Sequence, residues 1–176
     1  FALFMVACGG GTTEPAAEET TTEETAVEAP AEEAPAEEAG CTDAIGCVEI
    51  APGDPILLAS SLVVSGPNTE LGLDSQYGVE IAIDLRGEIM GHPIELQPED
   101  DGCSAEGGQT SAQKIVSNPQ IVAMIGTSCS GAGVPAAKII SDAGFVMVSP
   151  SNTSPSLTDP EQHQAGYLRT AHNDKV

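Results

Sequence analysis

The hydrophobic pattern of the chain alternates between short apolar runs and longer segments of helical periodicity. Apolar runs predict strands at residues 55–64, 94–97, 121–125 and 145–148. Apolar positions three and four residues apart predict helices over residues 69–86, 105–116 and 132–143. Because parallel strands need crossover connections, this alternation favours a parallel sheet with helices on both faces. We therefore expect an α/β fold.

Two polar turns follow the last two predicted strands, at residues 126–131 and 149–154. In a parallel sheet both turns would lie at carboxyl ends of strands, where such folds bind ligands. Ser130 would stand at a helix start, where unpaired N–H groups and the helix dipole favour an anion. The alternatives are that Ser130 only caps the helix and that the second turn is an ordinary Ser/Asn/Pro turn.

The first 40 residues differ in composition from the rest of the chain. The opening FALFMVACGGG resembles the end of a bacterial lipoprotein signal peptide, with Met5 to Cys8 as the lipobox. This implies a lipid on the Cys8 thiol and a membrane anchor; a transmembrane fragment or a chance apolar end are the alternatives. Residues 12–40 are rich in Glu, Ala, Thr and Pro, which predicts a disordered acidic tether rather than a site for a basic partner or a metal. We divide the chain into a signal remnant (1–8), a linker with a small Cys loop (9–50) and a folded domain (51–176).

The net charge of −22, with no Lys or Arg before Arg86, argues against nucleic acid as a partner. The three His residues have no metal-ligand spacing, and no nucleophile with a base or phosphate-binding loop occurs, so we expect no metal, no cofactor and no enzyme activity. Adjacent carboxylates at Glu99, Asp100 and Asp101 could bind a cation, but a solvated turn is the preferred interpretation.

Five Cys residues in so short a chain favour an exported protein. Cys41 and Cys47 could form a local disulfide, because no His or further nearby Cys completes a zinc site.

Five phrases occur in an order that points to one family. They are SGPNTELG at Ser65, YGVEIAIDL at Tyr77, GHPIELQPEDDGC at Gly91, the segment KIVSNPQIVAMIGTSCSGAGVPAAKIISDAGFVMVSPSNTSPSLT from Lys114, and YLRTAHND at Tyr167. Together they resemble the periplasmic-binding-protein type I substrate-binding proteins of branched-chain amino acid ABC transporters. The resemblance implies that residues 51–176 form an incomplete N-terminal lobe of a fold that encloses its ligand between two lobes.

The resemblance also implies roles for individual residues. Ser130 stands at the family's carboxylate-binding serine, Ser151 at a main-chain contact and Thr153 at a hydroxyl contact with the ligand's ammonium and carboxylate. Asn152 departs from the small residues that many members have there, and would add a hydrogen bond or narrow the pocket. Leu71 stands where some relatives place an aromatic residue over the ligand side chain, although it could equally belong to the core.

Relatives use the positions of Cys103 and Cys129 as a disulfide. The function that the resemblance implies is capture of an amino acid, branched-chain or similarly aliphatic, and its delivery to an ABC permease by a monomeric, membrane-anchored extracytoplasmic lipoprotein. Alternatives are the ligand domain of a signalling receptor, a binder of amide or urea-type ligands on the same fold, and an α/β enzyme.

Overall fold

The computed structural model describes residues 41–43 and 46–175. The predicted signal remnant with Cys8 and the acidic tether lie outside these residues, so the division at residue 8 stays a prediction. In the described part, no helix combines the length and apolar character needed to cross a membrane.

One six-stranded sheet organises the described residues. Its strands are β1 (Ile56–Leu62), β2 (Glu88–Ile89), β3 (His92–Asp100), β4 (Ile121–Gly126), β5 (Val146–Ser149) and β6 (Tyr167–Arg169). They lie in the order β2-β3-β1-β4-β5-β6, and only the β2–β3 pair is antiparallel. The helices are α1 (Thr69–Arg86), α2 (Ala105–Val116) and α3 (Ser130–Asp142), with a 3-10 turn at Pro155–Leu157. The predicted α/β class is confirmed.

Helices cover both faces of the sheet, as neighbouring residues of β1 demonstrate. Ser60 donates a hydrogen bond of 2.7 Å to Gln76 of α1, while Ser61 shares one of 2.7 Å with Ser111 of α2. Successive strand residues point to opposite faces, so α1 and α2 lie on opposite sides. The main core lies on the α2 side, where α2 and α3 cover the strands; its buried members include Ala59, Ala112, Ile115, Met124, Ala136, Ile140, Met147 and Tyr167.

The bounds of α1 and α2 match the predicted ones, whereas several strand and turn predictions were wrong in detail. β3 has nine residues rather than the four predicted, because Asp100 at its end still pairs with Leu62 of β1. The third helix begins at Ser130, not at Ala132, because the extended residue Cys129 occupies the N-cap position. β2 and β6 were not predicted.

The start of α1 lies close to the end of β1. A Cβ atom on Gly72 would overlap the backbone of Val63, so only glycine permits this approach. The contact brings the first turn of α1, including Leu71, to the carboxyl edge of the sheet.

Candidate ligand-binding site

The loops at the carboxyl ends of β1, β3, β4 and β5 form one connected polar network. The Ser128 hydroxyl, just after β4, accepts a hydrogen bond of 3.0 Å from the backbone N–H of Val63. The Ser151 hydroxyl, just after β5, donates one of 2.7 Å to the Ser128 carbonyl. The two polar turns predicted from the sequence therefore meet at one edge of the sheet.

The buried carboxylate of Asp101 holds two of these loops together. It is 0% exposed and accepts hydrogen bonds of 2.7 Å from the backbone N–H groups of Ser128 and Cys103. Burial raises the pKa of Asp101, and the neighbouring negative charge of Asp100 raises it further. The two hydrogen bonds act in the opposite direction but do not outweigh the burial. The expectation of a solvated turn was wrong for Asp101, because its carboxylate is a structural acceptor inside the protein.

Asp100 has a different environment although it is the adjacent residue. Its carboxylate accepts from the Ser65 hydroxyl and from the N–H groups of Val64 and Gly102. Burial acts to raise the pKa of Asp100, but these hydrogen bonds outweigh it and hold the pKa below its ordinary value. Glu99, the third carboxylate, forms an ion pair of 2.8 Å with Lys114. No cluster of potential metal ligands occurs in the described part of the chain.

A disulfide joins Cys103 to Cys129, with their Cα atoms 5.1 Å apart. Cys129 directly precedes Ser130, so the cross-link fixes the start of α3 against the loop after β3. Cys41 and Cys47 form a second disulfide, with a Cα separation of 5.6 Å. Both predicted pairings are therefore confirmed.

The Ser130 hydroxyl can act only as a hydrogen-bond donor toward a ligand. Its Oγ accepts hydrogen bonds of 3.1 Å from the backbone N–H groups of both Thr153 and Ser154. A hydroxyl can accept two hydrogen bonds and donate one, so its remaining capacity is donation, and its proton has no acceptor among residues 41–43 and 46–175. Ser130 does not cap α3, because no side-chain cap is present there and Cys129 is the N-cap residue.

Ser151 and Thr153 lie beside Ser130, as predicted, and both are partly exposed. The Ser151 hydroxyl donates to the Ser128 carbonyl and the Ser151 N–H to the Ser149 hydroxyl, which leaves the Ser151 carbonyl as the group available to a ligand. The Thr153 carbonyl accepts a hydrogen bond of 3.0 Å from Asp174 N–H. Its hydroxyl has no hydrogen-bond partner within the described residues, so it remains available.

The Asn152 side chain points into the protein rather than toward the cleft edge. It is 0% exposed; its Oδ1 accepts from the hydroxyls of Thr127 at 3.2 Å and Tyr167 at 3.4 Å, and its Nδ2 donates to the Thr127 carbonyl at 2.9 Å. Burial raises the pKa of Tyr167, so its hydroxyl keeps the proton that it donates. A Cβ on Gly133 would overlap the Asn152 amide, so the glycine makes room for this side chain.

Leu71 is 47% exposed at the start of α1, which excludes it from the core of the described residues. Sequence reasoning missed Ser128, Ser154 and Arg169, which hold the loops in place. The contact of Ser154 could have been predicted, because its N–H group follows that of Thr153 in the same turn and can donate to the same acceptor. Arg169 had only a weak signal, namely that it is one of just five Lys and Arg residues in the chain.

Among the described residues, this edge thus presents two groups without a partner at the start of α3, the hydroxyl proton of Ser130 and the hydroxyl of Thr153. A helix start favours an anionic oxygen, whereas the N–H groups of Thr153 and Ser154 already donate to Ser130 Oγ and orient its proton. The arrangement suits the carboxylate of a small solute, and it contains no base or nucleophile poised for a reaction.

Known proteins resemble this chain in sequence and in fold. The periplasmic binding protein family model matches residues 55–175, so the chain belongs to the periplasmic binding protein family. The Leu/Ile/Val-binding protein of Escherichia coli K12 is 33% identical over 122 residues, which cover 68% of this chain and 33% of that protein. An amino acid binding protein of Pseudomonas aeruginosa is 28% identical over 120 residues, covering 63% of this chain and 31% of that protein.

Solved structures agree with this assignment. The branched-chain amino acid transporter substrate binding protein of Streptococcus pneumoniae, in complex with isoleucine, has a TM-score of 0.63 and 25% identity over 69% of this chain and 35% of that one. An ABC transporter substrate-binding protein of Desulfitobacterium hafniense, in complex with leucine, has a TM-score of 0.59 and 29% identity, with the same coverage. The chain therefore spans about one third of the length of these relatives. The family consists of extracytoplasmic substrate-binding proteins, which are not enzymes.

Proposed function

We propose that this protein captures an aliphatic amino acid, with leucine, isoleucine or valine as the leading candidates, between this lobe and a second one. The observation that carries the proposal is the Ser130 hydroxyl, whose acceptor positions are both filled by Thr153 and Ser154 N–H groups. Its free proton suits a carboxylate oxygen and does not suit a second donor. The relatives named above for Leu, Ile and Val binding, and those solved with isoleucine and leucine, support the choice of ligand.

The Thr153 hydroxyl and the Ser151 carbonyl would complete the contacts to the polar end of the ligand. An amino acid taken out of water needs partners for both its carboxylate and its ammonium, since an unpaired buried charge is costly. Ser130 serves the carboxylate, and carbonyl or hydroxyl oxygens of the loop after β5 serve the ammonium. Leu71, half-exposed at the same edge, would contact the aliphatic side chain.

Delivery to an ABC permease and anchoring through Cys8 are further parts of the proposal. They predict a monomeric receptor that is held at the membrane surface and closes its lobes around the ligand, since a ligand that contacts both lobes favours the closed state. Substituting Cys8→Ser should release the protein from the membrane fraction and abolish incorporation of labelled fatty acid. Unchanged labelling of the Cys8→Ser variant would contradict the anchor.

Calorimetric titration of the full-length protein tests the ligand. Leucine, isoleucine and valine should give saturable heat, whereas leucinamide, which lacks the carboxylate, and urea should give none. Binding of leucinamide as tight as that of leucine would contradict the role of Ser130. The absence of heat with every aliphatic amino acid would overturn the proposed ligand class.

A further inference from the structure

Three successive carbonyl groups after β5 are all held by the segment that contains β6. Arg169 Nη1 donates hydrogen bonds to the carbonyls of Asn152 at 3.2 Å and Ser154 at 2.9 Å. The carbonyl between them, that of Thr153, accepts from the backbone N–H of Asp174 at 3.0 Å. One guanidinium nitrogen thus bridges the two peptide groups on either side of Thr153.

This arrangement determines where the N–H groups of the same loop point. With the three carbonyls engaged on the β6 side, the N–H groups of Thr153 and Ser154 both donate to Ser130 Oγ. Those two bonds fill the acceptor positions of Ser130 and leave it only a proton to donate. The donor character of Ser130 therefore depends on the conformation that Arg169 imposes.

The geometry of the contact suits the planar guanidinium of arginine. Nη2 of the same guanidinium donates to the Thr158 hydroxyl, so the planar group spans three acceptors in the loop and in the 3-10 turn beyond it. Within the described part of the chain, Arg169 forms no ion pair with a carboxylate. Its charge therefore strengthens the hydrogen bonds to the loop. Pairing of Arg169 with Ser149 in the parallel β5–β6 ladder fixes the base of the side chain.

We infer that Arg169 is a positioning residue of the ligand site, which holds residues 152–154 so that Ser130 presents a donor to the ligand carboxylate. The inference rests on the proposed function. Arg169 does not touch the ligand itself; it acts through the backbone of the loop.

Calorimetry on the full-length protein, well below the unfolding midpoint of each variant, measures the effect. Arg169→Met should weaken leucine binding about tenfold or more, because three hydrogen bonds from a charged group are lost. Arg169→Lys should restore part of the affinity. Thr158→Val, which removes the Nη2 contact and the long 3.4 Å hydrogen bond from Asn173, should cost about two- to threefold. Arg86→Met, at an exposed position in the last turn of α1, is the matched control and should bind as the wild type does.

Amide hydrogen exchange in the ligand-free protein supplies a second measurement. Exchange at Thr153 and Ser154 should accelerate in Arg169→Met and partly recover in Arg169→Lys. A role limited to overall stability would lower the unfolding midpoint yet leave the leucine affinity of the folded protein unchanged.

The outcomes separate the two proposals. Leucine binding by the wild type together with unchanged affinity and exchange in Arg169→Met would overturn the positioning role alone. No binding of any aliphatic amino acid by the wild type would overturn the proposed function and this inference together. If Arg169→Met does not fold, Arg169→Lys and Thr158→Val decide the matter, and wild-type affinity in both would overturn the inference.

Discussion

The two ends of the sheet differ in chemistry although each is next to a disulfide. At the carboxyl end, Cys103–Cys129 lies within a dense network of directed hydrogen bonds that involves Asp101, Ser128 and Ser130. At the amino end, the Cys41–Cys47 loop borders an open crevice of about 470 Å³. Apolar side chains dominate its wall, among them Val48, Ile50, Val122, Phe145 and Val146.

If the proposed function holds, the size of a cavity is a poor guide to the ligand site in a single lobe. The apolar crevice is large, but a zwitterionic ligand placed there would lose hydration of two charged groups without directed partners in return. The carboxyl edge instead offers the Ser130 hydroxyl proton, which the N–H groups of Thr153 and Ser154 orient. We therefore place the proposed site by the orientation of its polar groups rather than by cavity volume.

The largest effect should come from breaking the disulfides. Replacing Cys103 and Cys129 together by Ser should lower the free energy of unfolding by about 3.5 kcal/mol, against about 2 kcal/mol for Cys41 and Cys47, because the first pair closes a longer loop. Denaturant unfolding measures both. Leucine affinity should fall only in the Cys103/Cys129 variant. An equal loss of affinity in the Cys41/Cys47 variant would contradict the proposed difference between the two ends of the sheet.

Ser130→Ala should weaken leucine binding about 10- to 100-fold, the effect of losing a hydrogen bond to a charged group. Ser117→Ala, at the exposed end of α2, controls for removal of a hydroxyl and should have no effect on binding. Calorimetric titration of the three proteins makes the comparison. Equal affinities in all three would contradict the assignment of Ser130.

Asn152→Ala should act mainly on stability. The loss of its contacts leaves polar groups of Thr127 and Tyr167 without their partner, which should cost about 1–2 kcal/mol in the free energy of unfolding. Leucine affinity should change less than about threefold, because the side chain is buried away from the edge. A larger loss of affinity than of stability would instead support a hydrogen bond from Asn152 to the ligand.

The smallest effect should be a change in the pH dependence of stability at Asp101. Burial raises the pKa of this group above 3.8, so its contribution to stability is fully present below pH 3.8 and is lost as the pH rises through the folded-state pKa. The free energy of unfolding, measured from below pH 3.8 upward, should fall in the wild type relative to Asp101→Asn as the pH rises. Asp84→Asn, on the exposed side of α1, controls for the change in net charge. An increase in the stability of the wild type relative to Asp101→Asn with rising pH would contradict the upward shift of the Asp101 pKa.

Local sequence signals were sufficient for the parts of the fold whose ends they mark. The bounds of α1 and α2 followed from apolar periodicity and from Gly87 and Asn118-Pro119 just beyond the two helices. The end of β3 did not, because three adjacent acidic residues look like a solvated turn. Only the N–H groups supplied by Ser128 and Cys103 make Asp101 stable inside the protein.

The candidate site was predictable to the same extent. Ser130, Ser151 and Thr153 belong to two turns that any parallel sheet would place at one edge, and the structure brings them together. The orientation of Asn152 depends on the space left by Gly133, and the role of Arg169 depends on β6, which is too short to show a periodicity of its own. Such contacts between residues distant in sequence are not encoded in local patterns.

A crystal structure of the full-length protein with bound leucine tests the central claim most directly. We predict that a carboxylate oxygen of leucine lies about 3 Å from Ser130 Oγ, within ordinary hydrogen-bond distance. Leucine bound in the apolar crevice beside Val122 and Phe145, or a carboxylate directed away from Ser130, would contradict it.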